Sequence, residues 1–285
     1  NKPLIPNQLC TNQPCTNQPI NYLTMKLPIY QVDAFSDSLF QCNPAAVVPL
    51  SEWLEDSVMQ SIASENNLAE TAFFIPKGPG FQLRWFTPAV EVDLCGHATL
   101  ASAHVLFQHL GFEKEEIAFQ SRSGILKVRR DNDWYVMDFP ADEIQRVTQI
   151  PKAVTAGLGF SAKEVYKGRD DYMVVVETQT EVEQLNPDFR ALLKMQSRGL
   201  IVTAPGDSVD FVSRCFFPPA GIDEDPVTGS AHTTMTPFWA AKLGKSQMVA
   251  RQLSRRGGLV KCVQSGSRVK LGGQAVTYLQ GEIML

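Results

Sequence analysis

The sequence predicts an α+β fold of two similar lobes, in each of which mostly antiparallel strands enclose one helix. One observation is an Arg-x-Phe-x-Pro pattern that begins at Arg84 and again at Arg214, 130 residues later. A second is that each copy leads into a mostly apolar helical pattern, at residues 96–110 and 229–243. A third is the lack of a strand–helix–strand alternation, which disfavours a doubly wound parallel sheet. A duplicated strand, loop and helix predicts two lobes whose helices begin at a shared cleft.

Length and composition agree with this class. The 285 residues suit two lobes better than one core, and 44% hydrophobic with 20% charged residues is typical of a globular protein. A net charge of −4 argues against a nucleic-acid partner. The six cysteines show no C-x-x-C spacing, which predicts no metal site and a reducing, cytoplasmic setting. No apolar run of 18 residues predicts a membrane span.

Residues 1–24 differ from the rest in composition. They are rich in Asn, Gln and Pro and contain Thr-Asn-Gln-Pro twice, so they cannot bury enough apolar surface to offset their ordering entropy. We interpret them as an extension that is disordered or artificial in origin. The first lobe is then predicted over residues 25–139 and the second over 140–276. The last strand, about 277–285, is predicted to return to the first lobe.

Hydrophobic periodicity predicts the elements of each lobe. In the first lobe, a helix over about 52–65 would be capped by Ser51 or Asp56 and end at Asn66-Asn67. In the second, the helix at 229–243 should be interrupted by Pro237. Further helices are predicted at 96–110, 151–158 and 187–195. Strands are predicted at 27–35, 45–48, 70–75, 81–87, 117–121, 125–130, 134–139, 172–176, 200–204, 210–217, 260–264, 269–271 and 275–283.

Glu70 is the strongest single candidate for a catalytic residue. It begins an apolar strand, with Leu68-Ala69 before it and Ala72-Phe73-Phe74 after it. A carboxyl among such groups loses hydration, so its pKa should rise from about 4.3 toward about 6 to 7. That pKa would suit reversible proton transfer near neutral pH. The alternative is a glutamate at a strand edge that points to water.

Asp225 and Cys95 occupy the same place in the two copies if the offset of 130 residues is extended. Asp225 follows two other acidic residues directly before a helix, and an acidic first turn favoured by the helix dipole is the simpler explanation. The duplication favours a second explanation, in which Asp225 belongs to a functional site. Two symmetry-related positions with different titratable groups would face each other across the cleft.

His97 lies at the start of the first enclosed helix, where the positive helix end should keep its imidazole neutral. A neutral imidazole can relay protons, although a purely structural histidine is an equal alternative. Gly96, Gly229 and Ser230 can expose backbone N–H groups at the two helix starts. Facing helix starts would form a cradle for a carboxylate or similar anion.

Six motifs in order together resemble the PhzF family of phenazine-biosynthesis-like isomerases. They are Asp33-Ala34-Phe35, Asn43-Pro44-Ala45, Glu70-Thr71-Ala72-Phe73, Phe86-Thr87-Pro88, Cys95-Gly96-His97-Ala98 and Glu224 through Ala231. The resemblance implies two lobes, each a barrel-like sheet around a central helix, as in diaminopimelate epimerase. It also implies a cofactor-independent isomerase that acts on a small anionic metabolite and forms a homodimer.

The resemblance also implies roles for single residues. Glu70 matches the family's proton-transferring glutamate, and His97 and Asp225 match its other polar site residues. Cys42 departs from the family, because relatives commonly have Gly before Asn-Pro. The positions that match those near the substrate in the family are Asn43, Gly96, Gly229 and Ser230. Cys95 lies next to Gly96 and keeps one of the two thiols that the related epimerases use.

Three functions follow as hypotheses. The first is an isomerase that moves a proton between carbons, with Glu70 as general acid/base and His97 and Asp225 orienting the substrate or relaying protons. The second is a two-base epimerase or racemase with Cys95 opposite Asp225 or Glu70. The third is a binding or interaction protein that keeps the fold without the chemistry.

Overall fold

The computed structural model describes residues 25–285, and the extension predicted at residues 1–24 lies outside them. The first lobe contains β1 (Lys26–Ala34), β2 (Asn43–Pro49), α1 (Asp56–Asn66), β3 (Glu70–Lys77), β4 (Gly80–Phe86), β5 (Glu91–Val92), α2 (Gly96–Gln108), β6 (Glu116–Ser121), β7 (Gly124–Asp131) and β8 (Trp134–Pro140). The second lobe contains β9 (Gln145–Arg146), α3 (Lys152–Leu158), β10 (Glu164–Lys167), β11 (Asp171–Val175), α4 (Gln179–Glu183), α5 (Phe189–Leu192), β12 (Gly199–Pro205), β13 (Phe211–Phe217), β14 (Ile222–Asp225), α6 (Gly229–Leu243), β15 (Gln247–Gln252), β16 (Gly258–Ser265) and β17 (Arg268–Gly273). The last strand is β18 (Ala275–Met284).

The two lobes share one topology, which confirms the predicted α+β fold of pseudo-symmetric lobes. In the first, α1 connects the parallel pair β2 and β3, and α2 connects the parallel pair β4 and β6. In the second, α4 and α5 connect the parallel pair β11 and β12, and α6 connects β13 and β15. The remaining pairings are antiparallel, including β8 with β17, which joins the two lobes, and β1 with β18. The predicted division at residues 139 and 140 stays a prediction.

The two enclosed helices form the centre of the fold. In α2 every residue from His97 to Phe107 is buried, as expected for a helix that is apolar around most of its circumference. Side chains of α2 and α6 belong to one continuous hydrophobic core, shared by both lobes. Within residues 25–285, no helix is both long and apolar enough to cross a membrane.

A repeated arginine site confirms the internal duplication. Arg84 makes a two-pronged ion pair with Glu91, with N–O distances of 2.7 and 2.8 Å. Arg214 makes the same contact with Glu224, at 2.7 and 2.9 Å. Each guanidinium carbon lies 5.1 Å from the ring centre of the phenylalanine two residues later. The same Arg–Glu ion pair and the same Arg–Phe contact therefore occur in both lobes, as expected for a repeated unit.

The extension of the offset to Asp225 and Cys95 was wrong. The second copy contains a 3₁₀ turn, Pro218–Ala220, that lengthens the loop after β13. Beyond this turn, Asp225 pairs with Cys215 in the way that Val92 pairs with Trp85. The structural counterpart of Cys95 is Thr228, because each is the N-cap residue of its enclosed helix.

Several predicted bounds also differ from the observed ones. Helix α1 begins at Asp56 after the N-cap Glu55, so neither Ser51 nor Asp56 is its cap. Helix α6 continues through Pro237 without interruption. The helix predicted at 187–195 is a single turn capped by the Asp188 carboxylate. The sequence analysis missed short or less regular elements, namely β5, β9, β10, β14, β15 and α4.

Arg84→Lys should lower the free energy of unfolding by about 1–3 kcal/mol, because an ammonium cannot replace the two-pronged contact with partly buried Glu91. Urea denaturation measures the change. Arg268→Lys is the matched control, since its pair with Asp138 is exposed and should contribute less than about 1 kcal/mol. Equal effects of the two substitutions would contradict the structural role given to Arg84.

Candidate active site

The beginnings of α2 and α6 meet at the centre of the molecule, as the duplication predicted. A methyl group placed on Gly96 would lie 3.8 Å from the Cα of Gly229, and the reverse is equally true. The N-cap residues Cys95 and Thr228 make no side-chain cap hydrogen bond, so the first-turn N–H groups of both helices keep their capacity to bind an anion. Ser230 is the second residue of α6, beside these groups.

Glu70 and His97 form an ion pair at this meeting point. The His97 Nε2 atom lies 3.0 Å from Glu70 Oε2, and the two side chains are 7% and 12% exposed. Burial raises the pKa of the Glu70 carboxyl, but the adjacent His97 more than offsets it, and the pKa lies below its usual value. The predicted rise toward 6 or 7 was therefore wrong. Glu70 is buried as expected, and at neutral pH it is a carboxylate.

The prediction of a neutral His97 was also wrong. Burial lowers the pKa of the imidazole, and the helix end should do the same, but Cys95 and Glu70 together raise the pKa well above its usual value. Cys95 Sγ lies 3.5 Å from His97 Nδ1 and 4.0 Å from its Nε2, so the thiol is close to both ring nitrogens. At neutral pH the site thus holds an imidazolium next to a carboxylate.

Cys95 is a buried, protonated thiol. Burial, followed by the charge of Glu70, raises the pKa of its thiol to about 11, so the thiolate is scarce at neutral pH. The donor atoms of Glu70, Cys95 and His97 lie within 4.8 Å of one another. These residue types are all ligands of Zn²⁺, so this trio could hold such an ion.

Asp225 completes the site from the second lobe. Its Oδ1 accepts a hydrogen bond of 2.7 Å from Asn43 Nδ2, and its Oδ2 accepts one of 2.6 Å from Thr228 Oγ1. Burial raises the pKa of the Asp225 carboxyl to about 6, against the opposing effects of His97 and Thr228. The charge of Glu70 also raises this pKa, so the two carboxyl groups act on each other. Asp225 is thus the group whose pKa lies near neutrality.

Asn43 connects the lobes through this aspartate. It is fully buried at the start of β2, and its Nδ2 also donates to the carbonyl of Val227 at 3.2 Å. Cys42, directly before it, has φ 57°, a left-handed conformation in which glycine carries no steric penalty. This explains why glycine suits the position, and Cys42 adopts the conformation in spite of its side chain. The Cys42 thiol donates to the carbonyl of Phe35 at 2.8 Å and fixes the loop.

Two residues that position Asp225 were missed by the sequence analysis. Thr228 donates to its carboxylate, and the fully buried Gln252 donates to its backbone carbonyl at 2.7 Å. The Gln252 Oε1 atom accepts from the Thr228 N–H at 3.0 Å, so one side chain holds both ends of the turn. A signal exists in the sequence: Gln252 is in phase with the buried residues Met248 and Ala250 on β15.

Comparisons with known proteins agree with this architecture. The PhzC-PhzF family model, described as phenazine biosynthesis-like protein, matches residues 32–281. An uncharacterized isomerase of Pseudomonas aeruginosa is 49% identical, over 92% of this chain and 100% of that protein. A PhzF-family crystal structure from Enterococcus faecalis is 46% identical with a TM-score of 0.89, covering 92% of this chain and 100% of that one.

A more distant structure shows how widely the fold is shared. It is a hydroxyproline epimerase from Agrobacterium vitis, 9% identical with a TM-score of 0.58, and it covers 91% of this chain and 93% of that one. At this identity the likeness concerns the fold alone. Together with the family match over most of its length, these findings show that the chain belongs to the PhzF family of phenazine-biosynthesis-like proteins.

Proposed function

We propose that the protein is an isomerase that moves a proton between two carbons of a small anionic substrate, with Glu70 as the general acid/base. The observation that carries this proposal is the buried ion pair of Glu70 and His97 at the meeting point of two helix N-termini. The naming of a close relative as an isomerase supports the reaction class. Because the step moves only a proton, it needs no redox cofactor.

The proposed reaction has two halves. First, the Glu70 carboxylate removes a proton from a carbon next to an unsaturated group, and the electron pair of the broken C–H bond delocalises onto the substrate's conjugated oxygen. Then the electron pair forms a C–H bond at a second carbon with the proton that Glu70 carries. The lowered pKa of Glu70 makes its protonated form a stronger acid and its carboxylate a weaker base, so it favours the second half over the first.

The rest of the site stabilises the negative charge that develops between these halves. The His97 imidazolium and the first-turn N–H groups of α2 and α6 favour an anion there. Asp225 faces this charge with a carboxyl whose pKa is about 6, so it can hold or release a proton at physiological pH. Asn43 and Thr228 fix its orientation. Closure of the lobes would exclude water from the transfer.

Deuterium incorporation tests the proposal. The protein is incubated in D₂O with a panel of small carboxylic acids that carry a C–H bond next to an unsaturated group, and products are analysed by NMR and mass spectrometry. We expect one compound class to be converted to an isomer whose double bond has moved, with deuterium at carbon to the extent that the proton on Glu70 exchanges with solvent during turnover. Ligand binding with no deuterium incorporation and no isomer formation across the panel would instead favour a non-catalytic binding protein.

Cys95→Ala distinguishes this proposal from a two-base epimerase. The epimerase is the alternative because Cys95, which would be one of the bases, lies beside His97 in the site. We expect the variant to keep turnover within about tenfold, because a thiol with a pKa of about 11 is a poor base at neutral pH. Initial rates at pH 7.5 measure the effect. The matched control is Cys262→Ala, which removes another fully buried thiol. Abolished turnover in the Cys95 variant alone would support the epimerase.

A further inference from the structure

The pseudo-symmetry of the lobes identifies the position opposite Glu70. In the first lobe, Glu70 lies three residues before Phe73, which pairs with Arg84. In the second, Gly199 lies three residues before Val202, which pairs with Arg214. The parallel strands agree, because Ala45 pairs with Glu70 and Asp171 with Gly199. Gly199 therefore occupies the place of Glu70, and the second lobe has no acid there.

Arg198, the residue before this glycine, takes over the contact with the helix start. Its Nη2 atom donates to Ser230 Oγ at 3.0 Å, the same distance as that between Glu70 and His97. Ser230 is the second residue of α6, as His97 is of α2. Where the first lobe presents a carboxylate to its helix tip, the second presents a guanidinium.

The guanidinium is held rigidly in this orientation. Its Nε donates to Asp171 Oδ1 at 3.0 Å, and its Nη2 also contacts Asp171 Oδ2. The Asp171 side chain is 3% exposed, and the Arg198 guanidinium carbon lies 5.2 Å from the ring centre of Phe217. That ring fills the space beside Gly199, where an added Cβ would lie 2.1 Å from its Cδ1. A side chain at 199 would displace the ring that supports the guanidinium.

One edge of the guanidinium remains available for a ligand. Nε and Nη2 carry the contacts with Asp171 and Ser230, whereas Nη1 has no hydrogen-bond partner among residues 25–285. The Arg198 side chain is 38% exposed, so a ligand can reach it. Both unused N–H donors of the guanidinium are on Nη1, and the Ser230 hydroxyl, which accepts from Nη2, still has its own hydrogen to donate. One donor from each residue can therefore bind the two oxygens of a carboxylate.

We propose that Arg198 and Ser230 form a subsite for a carboxylate of the substrate, opposite Glu70 across the two helix tips. This inference rests on the proposed function for its placement of the reacting carbons near Glu70. It restricts the substrates to carboxylic acids whose labile C–H bond lies away from the carboxylate that is bound. Arg198 is thus a substrate-binding and specificity-determining residue, not the acid/base.

The test compares a carboxylate with its neutral isostere. Dissociation constants of 4-fluorobenzoate and 4-fluorobenzamide are measured by ¹⁹F NMR. The wild type should prefer the carboxylate by about 10- to 100-fold, the range expected for charged hydrogen bonds. Arg198→Lys keeps the charge, but an ammonium cannot contact Asp171, Ser230 and the ligand at once as the planar guanidinium does, so the preference should shrink to a few-fold. Arg169→Lys, an exposed arginine in the same lobe, should leave the preference unchanged.

A double variant guards against misfolding, because removing Arg198 alone would leave Asp171 buried without its partner. Asp171→Asn with Arg198→Met removes both charges, and it should abolish the preference while thermal unfolding stays cooperative. Proton transfer and the carboxylate preference are measured separately, so a protein that prefers the carboxylate but moves no proton would refute the proposed chemistry and leave the subsite standing. A carboxylate preference that survives in the double variant, or is missing in the wild type, would overturn the inference.

Discussion

Glu70→Gln should lower kcat by about 10²- to 10⁴-fold, the usual contribution of a general acid/base. Glutamine has nearly the same shape as glutamate but can neither accept the substrate proton nor return it. The variant also lacks one of the two groups that raise the pKa of His97, so the imidazolium that favours an anion in the site becomes less stable. Turnover and deuterium incorporation from D₂O should fall together, because both depend on the same proton.

The matched control is Glu65→Gln, an exposed glutamate on α1 that should leave kcat unchanged. Binding of 4-fluorobenzoate to the Glu70 variant shows whether the cleft is intact. A Glu70 variant with the wild-type rate of deuterium incorporation would assign the acid/base role to another group. Lost incorporation together with lost ligand binding would indicate a damaged site, and Glu70→Asp, which keeps the carboxylate, would then decide the question through a partial return of activity.

The sequence was sufficient to locate the candidate site but not to predict its charges. Glu70 and His97 stand out because each occurs at the start of an apolar element, and the duplication predicts that the helix starts face each other. Their pKa shifts were predicted with the wrong sign because sequence neighbours report only desolvation and the helix dipole. The decisive effect is a contact of 3.0 Å between residues 27 positions apart, which only the folded chain reveals.

Asp225 was aligned with the wrong residue of the first copy because the fixed offset does not hold along the whole repeat. A fixed offset aligns Arg84 with Arg214 correctly, but the 3₁₀ turn at Pro218–Ala220 breaks the register just before Asp225. After the turn, strand pairing shows that Asp225 corresponds to Val92, at a larger offset than the 130 residues between the arginines. Gln252 was missed for a related reason. Its role depends on the parallel neighbour relation of β13 and β15, which joins chain segments that are distant in sequence.

Asp225→Asn should change both activity and the pH dependence of stability. Burial raises the pKa of Asp225 from 3.8 to about 6, so ionisation costs more in the folded than in the unfolded protein. The protein therefore loses stability from this group as the pH rises from about 4 to 6, by up to about 3 kcal/mol for a shift of about two units. Asparagine cannot ionise. Relative to the wild type, the variant should gain stability over this interval, measured by urea denaturation at pH 4 and pH 7.

Activity should respond in the opposite direction. In the wild type, kcat/KM should change near pH 6 as Asp225 gains or loses its proton, whereas the variant should lack this inflection and be slower by about 10²-fold or more. Asp223→Asn, an exposed aspartate on the same strand, is the matched control and should keep both wild-type profiles. A variant that is more stable at pH 7 yet nearly inactive would show that burial of this carboxylate is retained for the reaction at a cost in stability. If instead its stability follows the wild-type pH dependence, the charge penalty lies on another residue, and Asp225 has a purely structural role.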